Sequence, residues 1–272
     1  MRVRARAWKP LTAAVLVGAV ALAACGGGGD DDDASDDADA NVLRILVTND
    51  DGVTGEGIDA LVTGLETLPD VEVTVVAPAE DRSGTGDTIS DTPPTGSETT
   101  LIGGHSAIAV AGFPADSVLY ALDEVLDQRP HVVVSGVNKG QNLGPVVFAS
   151  GTVGAARTAA GRGVPALAVS QGLADPPNYA AAVDLALNWV TDHRKDLLVG
   201  DVQTETIANM NVPTCPTGEV RGLVDVPSAI DGGERMFNPP DCASTENHPT
   251  DDIDGFLNGY ATLANVPIDP PT

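Results

Sequence analysis

Asn49-Asp50-Asp51-Gly52 follows directly on the apolar run of residues 42–48, so two adjacent carboxylates stand where a buried strand would end. In open α/β sheets, ligands bind at that edge. Two anions held side by side repel each other unless a cation, a proton or open water relieves them. A hard divalent cation such as Mg²⁺ or Mn²⁺ meets that need, because it takes oxygen ligands and keeps positions open for water and substrate phosphate. Asn-Asp-Asp-Gly is also a good strand-ending turn. Taken alone, the motif leaves a metal site and a plain turn both open.

The elements that must position these residues are legible as an alternation. From residue 42 onward, apolar strand-like runs alternate with helical patterns, which predicts a Rossmann-like α/β fold with a mostly parallel sheet and helices on both faces. Ile58, Leu61, Val62 and Leu65 recur at helical spacing, and residues 71–77 read as the next strand. A polar stretch rich in Gly, Ser, Thr and Asp fills 78–100, and loops of that length tend to be functional. Residues 107–110 are a short strand, Pro114 opens a helix through 126, and 131–136 form a buried strand. A second polar loop, 137–149, leads to a small-residue helix at 152–160 that Gly161 and Gly163 stop. A strand at 165–170, a helix at 179–190 and a strand at 206–212 complete the core, 42–213. The loops holding Asp50, Ser83 and Asn138 each follow a strand and are expected to converge on one edge. Beyond 213 the pattern weakens, and 214–272 reads as a carboxyl-terminal appendage or an oligomerisation element.

The amino terminus has a different composition. Arg2, Arg4, Arg6 and Lys9 precede a short apolar run, the pattern of an export signal over 1–24. Leu22-Ala23-Ala24-Cys25 resembles the bacterial lipoprotein cleavage box, which implies lipidation of Cys25 and a chain exported to the cell envelope or periplasm and anchored to the membrane. Ordinary secretory cleavage nearby, with Cys25 incidental, is the alternative. Residues 25–41 are rich in Gly and Asp and can bury almost nothing, so they make a solvated tether. Without the signal, ten basic residues face 39 acidic ones, a formal charge of −29. Such a surface argues against duplex nucleic acid as a partner, since that binding draws on clustered Lys and Arg. Cys215 and Cys242 are the other two cysteines, and in an exported protein they are expected to pair.

Three segments taken together go beyond a generic α/β pattern. They are Ile45-Leu46-Val47-Thr48-Asn49-Asp50-Asp51-Gly52, then Arg82-Ser83-Gly84-Thr85-Gly86 after Ala77-Pro78, then Ser135-Gly136-Val137-Asn138-Lys139-Gly140-Gln141-Asn142-Leu143-Gly144 with Ser150-Gly151-Thr152. In that order and spacing they resemble the SurE family of survival proteins, metal-dependent nucleoside monophosphate phosphatases. Gly112-Phe113-Pro114-Ala115-Asp116 and Asn209-Met210-Asn211-Val212-Pro213 resemble further family segments. The resemblance implies that Asp50, Asp51, Ser83 and Asn138 hold a divalent metal, Mg²⁺ or Mn²⁺. It also implies that Ser150, Gly151 and Thr152, with Asn49 and Asn142, bind phosphate, and that the chain forms a homodimer or homotetramer. Two positions depart from the family pattern. Asp87 stands where a His is common, which is expected to weaken phosphate binding or change the substrate, and Ala149 stands where an aromatic or His is common.

The implied function is hydrolysis of nucleoside monophosphates by metal-activated water, with Asp50 and Asp51 as catalytic residues. The alternative is a surface lipoprotein that binds metal or nucleotide on the same fold without turnover. Other chemistries fit less well. A carboxylate phosphoenzyme of the haloacid-dehalogenase type needs an Asp-x-Asp spacing that this motif lacks. A dinucleotide binder needs a Gly-rich turn after the first strand. A serine hydrolase needs a Gly-x-Ser-x-Gly elbow.

Overall fold

The computed structural model describes residues 41–269, so the signal, Cys25 and most of the tether lie outside the described residues. Nine strands form one sheet: β1 (Leu43–Thr48), β2 (Val71–Pro78), β3 (Gly96–Thr100), β4 (Ser106–Val110), β5 (Val132–Lys139), β6 (Ala166–Gln171), β7 (Thr206–Val212), β8 (Leu223–Asp225) and β9 (Ala261–Pro267). Their order is β3-β4-β2-β1-β5-β6-β7-β9-β8. From β4 to β7 all neighbours are parallel. β3 runs antiparallel to β4, and β9 antiparallel to β7.

Continuous apolar strands follow from burial on both faces. Successive side chains point to opposite sides, so Ile45 and Val47 of β1 join one core cluster while Leu46 joins the other. β5 divides in the same way, with Val132 and Val134 on one side and Val133 on the other. Helices α1 (Glu56–Leu65) and α4 (Ala180–Val199) cover the first face through Ile58, Leu61, Leu65, Ala186 and Trp189. Helices α2 (Pro114–Tyr120) and α3 (Gly151–Gly161) cover the second. Each fully buried Val, Leu or Ile contributes about 1.5–3 kcal/mol, so these two layers are the main stabilisation of the sheet. The small residues of α3, Ala155, Ala156, Ala159 and Ala160, let its backbone approach the strands closely.

Several elements differ from the sequence expectation. Residues 96–100, expected as loop, form β3, an edge strand whose Gly-Ser-Glu-Thr-Thr sequence shows no apolar alternation because little of it is buried. The helix expected through 126 is α-helical to Tyr120 and then widens into a π-helical turn, Ala121–Val125. β5 runs on to Lys139, so Asn138 lies at the end of a strand, and the Asn138 loop that carries Gln141, Asn142 and Gly144 begins only at Gly140. α4 continues nine residues past 190 to Val199, where Gly200 caps it with φ +72°.

The segment after Pro213 is stitched to the core along β7. β9 pairs with β7 over six residue pairs, β8 pairs with β9, and α5 (Asp252–Leu257) lies between them in sequence. Cys215 and Cys242 are joined by a disulfide with Cα atoms 5.7 Å apart. Closing that 27-residue separation stabilises by roughly 3–4 kcal/mol in the chain-entropy picture.

Candidate active site

The order of strand addition reverses between β1 and β5, since the chain leaves β1 toward β2 on one side and resumes with β5 on the other. Such a switch point opens a crevice at the carboxyl ends of the strands. A cavity of about 230 Å³ opens there, lined by Asp50, Ser83, Asn138, Asn142, Ser150 and Ala149 among others. Three distant crossovers therefore meet as expected from their position after strands.

Backbone bonds stitch the loops together. The Arg82 N–H donates to the Asp50 carbonyl (2.7 Å), and the Gly86 N–H donates to that of Ala149 (3.0 Å). The Lys139 N–H reaches Asp51 Oδ2 at 3.3 Å. β5 slips its register between Ser135 and Asn138, which re-aims the strand end. Gly136 permits this with φ +139°, at a place where a Cβ would stand 2.3 Å from the Val169 carbonyl oxygen.

Asp50 is buried, and the start of α3 packs directly against it. A Cβ on Gly151 would lie 2.8 Å from Asp50 Cβ, so the helix can come this close only with glycine there. Thr152, expected to bind phosphate, has a different task. Its buried hydroxyl donates to Asp50 Oδ1 at 2.6 Å and orients that carboxylate. Burial raises the Asp50 pKa, against the pull of the Thr152 bonds. Asp51 is more open to solvent and is pushed up to about 6, first by desolvation and then by the neighbouring Asp50 charge. Asp51 is coupled to the cavity group electrostatically and does not itself line the cavity. Tyr179, in the fields of Asp51 and Glu56, is pushed up to about 12, chiefly by burial.

Ser83 is held by a residue that the sequence reading passed over. Its N–H and Oγ donate to Asp81 Oδ1 at 2.8 and 2.7 Å, and these bonds keep Asp81 below its ordinary range. With its proton committed to Asp81, the Ser83 oxygen keeps lone pairs for a cation. The Asp-x-Ser spacing is the signal of such an Asx turn. Asn138 is arranged in the same sense, its Nδ2 donating to the Gly140 carbonyl at 2.6 Å, which leaves its amide oxygen as acceptor.

Asn49 and Asn142, both expected to bind phosphate, differ. Asn49 is fully buried and spent on its own turn, donating to the Gly52 carbonyl (2.9 Å) and accepting from the Gly52 N–H (3.2 Å). The turn reading of Asn-Asp-Asp-Gly thus holds for Asn49, and it is this turn that presents Asp50 and Asp51. Asn142 lines the cavity, with its Nδ2 on Ser170 Oγ (2.9 Å) and its backbone pinned by Asn209 and Asn211. Those two residues, two apart on β7 and therefore on one face, were visible in sequence without a task. Ser150 caps α3 by accepting from the Val153 N–H, which places the positive end of the helix at the cavity.

The departure at Asp87, at the protein surface, is matched by a cation of the same chain. Arg157, a buried residue of α3, pairs with it at 2.9 Å. Asp87 does not line the cavity.

A metal fits this donor set. Asp50, Asp51, Ser83 and Asn138 offer carboxylate, hydroxyl and amide oxygens, the chemistry that suits Mg²⁺ or Mn²⁺ better than zinc. Among the described residues no group of three or more His, Cys, Asp or Glu is set for a metal, so a cation here relies on the neutral oxygens as well.

Fold and site together define an α/β protein with an anionic, oxygen-lined cavity at the switch point and a helix N-terminus at its side. The family model described as Survival protein SurE matches residues 45–229. The chain is 39% identical over 181 residues to the 5'-nucleotidase SurE of Symbiobacterium thermophilum, a match covering 66% of this chain and 69% of that protein. It is 38% identical over 201 residues to the 5'-nucleotidase SurE of Brevibacillus brevis, covering 72% and 76%. The crystal structure of the SurE protein from Aquifex aeolicus matches the fold with a TM-score of 0.67 at 25% identity, over 84% of this chain and 95% of that one. The chain belongs to the SurE survival-protein family.

Proposed function

We propose that this chain is a divalent-metal-dependent phosphomonoesterase that releases phosphate from nucleoside monophosphates as a 5'/3'-nucleotidase. One observation carries the reading: Asp50, Ser83 and Asn138, from three separate crossovers, line one cavity beside the N-terminus of α3. The relatives named 5'-nucleotidase SurE support the same substrate class.

Asp50, Asp51, Ser83 and Asn138 would hold Mg²⁺ or Mn²⁺. When bound, the ion supplies positive charge for the phosphoryl oxygens and lowers the pKa of water. Thr152 keeps Asp50 in one orientation, and Asp81 does the same for Ser83. In the first turn of α3 the Val153 N–H is committed to Ser150 Oγ and the Thr152 N–H to Asp50, which leaves the Gly151 N–H to face charge that grows on the phosphoryl oxygens as water adds and the nucleoside oxygen departs. Asp51, the more accessible of the two carboxylates and raised toward neutrality beside the cavity, would accept the proton of the attacking water.

We also read the chain as exported and lipid-anchored through Cys25. The Leu22-Ala23-Ala24-Cys25 box and the disulfide, a bond of oxidising compartments, support this. Mass spectrometry of the mature amino terminus checks it, and an unmodified Cys25 overturns it.

The activity is tested by phosphate release from a panel of nucleoside monophosphates in Mn²⁺, Mg²⁺ or EDTA. Release with metal and none in EDTA is the expected result. Binding without hydrolysis would favour the non-catalytic lipoprotein.

A further inference from the structure

Resting on the phosphomonoesterase reading, we propose that Leu173 and Phe237 receive the organic part of the substrate and select a planar nucleobase. Both line the same cavity as Asp50, Ser83, Asn138 and Ser150, so it has a polar floor and an apolar rim. That is the composition of small-molecule sites, where a few polar groups fix orientation and apolar groups supply contact. At about 230 Å³ the cavity is smaller than the roughly 300–1,000 Å³ that encloses a whole drug-sized ligand. With the phosphate on the floor, a base must sit at the mouth.

Single exposed apolar residues are ordinary, but these two stand on one rim and are held there. Phe237 is 69% exposed and Leu173 66% exposed. Leu173 follows β6 and lies over the Asn138 loop, where a Cβ on Gly140 would be 3.3 Å from its Cδ2. Phe237 ends the 3-10 turn Gly233–Phe237. Gln141 of the Asn138 loop donates to the Met236 carbonyl at 3.1 Å, and Met236 packs on the buried cluster of Leu143, Ala229, Ile253 and Phe256. The ring is therefore delivered on an element tied to the segment that follows Asn138.

The chain has four phenylalanines. Phe256 is buried, while Phe113 and Phe148 lie under the guanidinium groups of Arg82 and Arg157. Among the described residues Phe237 has no ring or cation on its face, and an open aromatic face suits stacking of any base. It lies in the carboxyl-terminal segment, beyond residues 45–229 that the family model matches.

The experiment compares a purine nucleoside monophosphate with ribose 5-phosphate, which carries the phosphate and sugar but no base, in the full Mn²⁺-loaded protein. Phe237→Ala is expected to raise KM about tenfold for the nucleotide, the scale of one lost stacking contact, and under about twofold for ribose 5-phosphate. Leu173→Ala should act in the same direction, and Phe237→Trp should restore the nucleotide KM. Equal changes for both substrates, or none for either, overturn the proposal. So does an oligomer that Phe237→Ala converts to monomer, which would assign the ring to a subunit interface. If the wild type hydrolyses neither substrate, the phosphomonoesterase reading fails. Equilibrium binding of the same two ligands to wild type and Phe237→Ala then still decides the role of the ring.

Discussion

Asp50 and Asp252 are both buried carboxylates raised above their ordinary range by desolvation, and they do opposite jobs. Asp252, at the start of α5, is consumed by its own fold. Its Oδ2 accepts from the Gly144 N–H (2.9 Å) and Ser228 Oγ (3.2 Å), and its Oδ1 accepts from the Ala229 N–H (2.8 Å). Asp50 accepts from Thr152 and faces a cavity, with capacity left on a group that can take about four hydrogen bonds. Burial and a raised pKa alone do not distinguish a site from a knot in the chain; how the lone pairs are used does. Asp252 still serves the site indirectly, because it ties the carboxyl-terminal segment to the Gly144 end of the Asn138 loop.

The comparison is broken most directly by exchanging each carboxylate. Asp50→Asn should lower phosphate release about a thousandfold, the scale of losing a preorganised electrostatic contact, with the thermal midpoint unchanged or raised because a buried charge is gone. Turnover within a few-fold of wild type would remove Asp50 from the chemistry. Asp252→Ala leaves the Gly144 and Ala229 N–H groups without their acceptor. At about 1–3 kcal/mol for each unpaired buried group, urea unfolding should show a loss of about 2–6 kcal/mol. An unfolding curve that overlays wild type would contradict the structural role.

A smaller effect sharpens the contrast. Asp51 has a folded pKa of about 6 against 3.8 for the free group, so the fold favours its protonated form. That contribution is complete below about pH 4 and is lost as pH rises through about 6. In EDTA the thermal midpoint should therefore fall between pH 5 and pH 7. Saturating Mn²⁺ takes the place of the proton and should remove the part of this slope that belongs to Asp50 and Asp51, leaving any part due to Asp252. The same slope with and without Mn²⁺ would mean that Asp50 and Asp51 do not ligate.

Much of this was legible because the relevant pattern is local. β7 appears with the bounds read from the sequence, 206–212, and Asp50 and Asp51 declare themselves as charges at a strand end. β3 was hidden because an edge strand with little burial needs no apolar signature. α4 was cut short at 190 because its last turns, with Asp192, Arg194, Lys195 and Asp196, face water and blur the period. The roles of Thr152 and Arg157 were beyond sequence, since each depends on a partner brought close only by the fold, Asp50 across 102 residues and Asp87 across a helix–loop contact.

The central claim is that Asp50, Asp51, Ser83 and Asn138 together hold one divalent cation, and calorimetric titration of Mn²⁺ into EDTA-stripped protein tests it most directly. Wild type should bind one equivalent, and Asp50→Asn, equally folded, should show no saturable site. The same stoichiometry and affinity in both proteins would contradict the account.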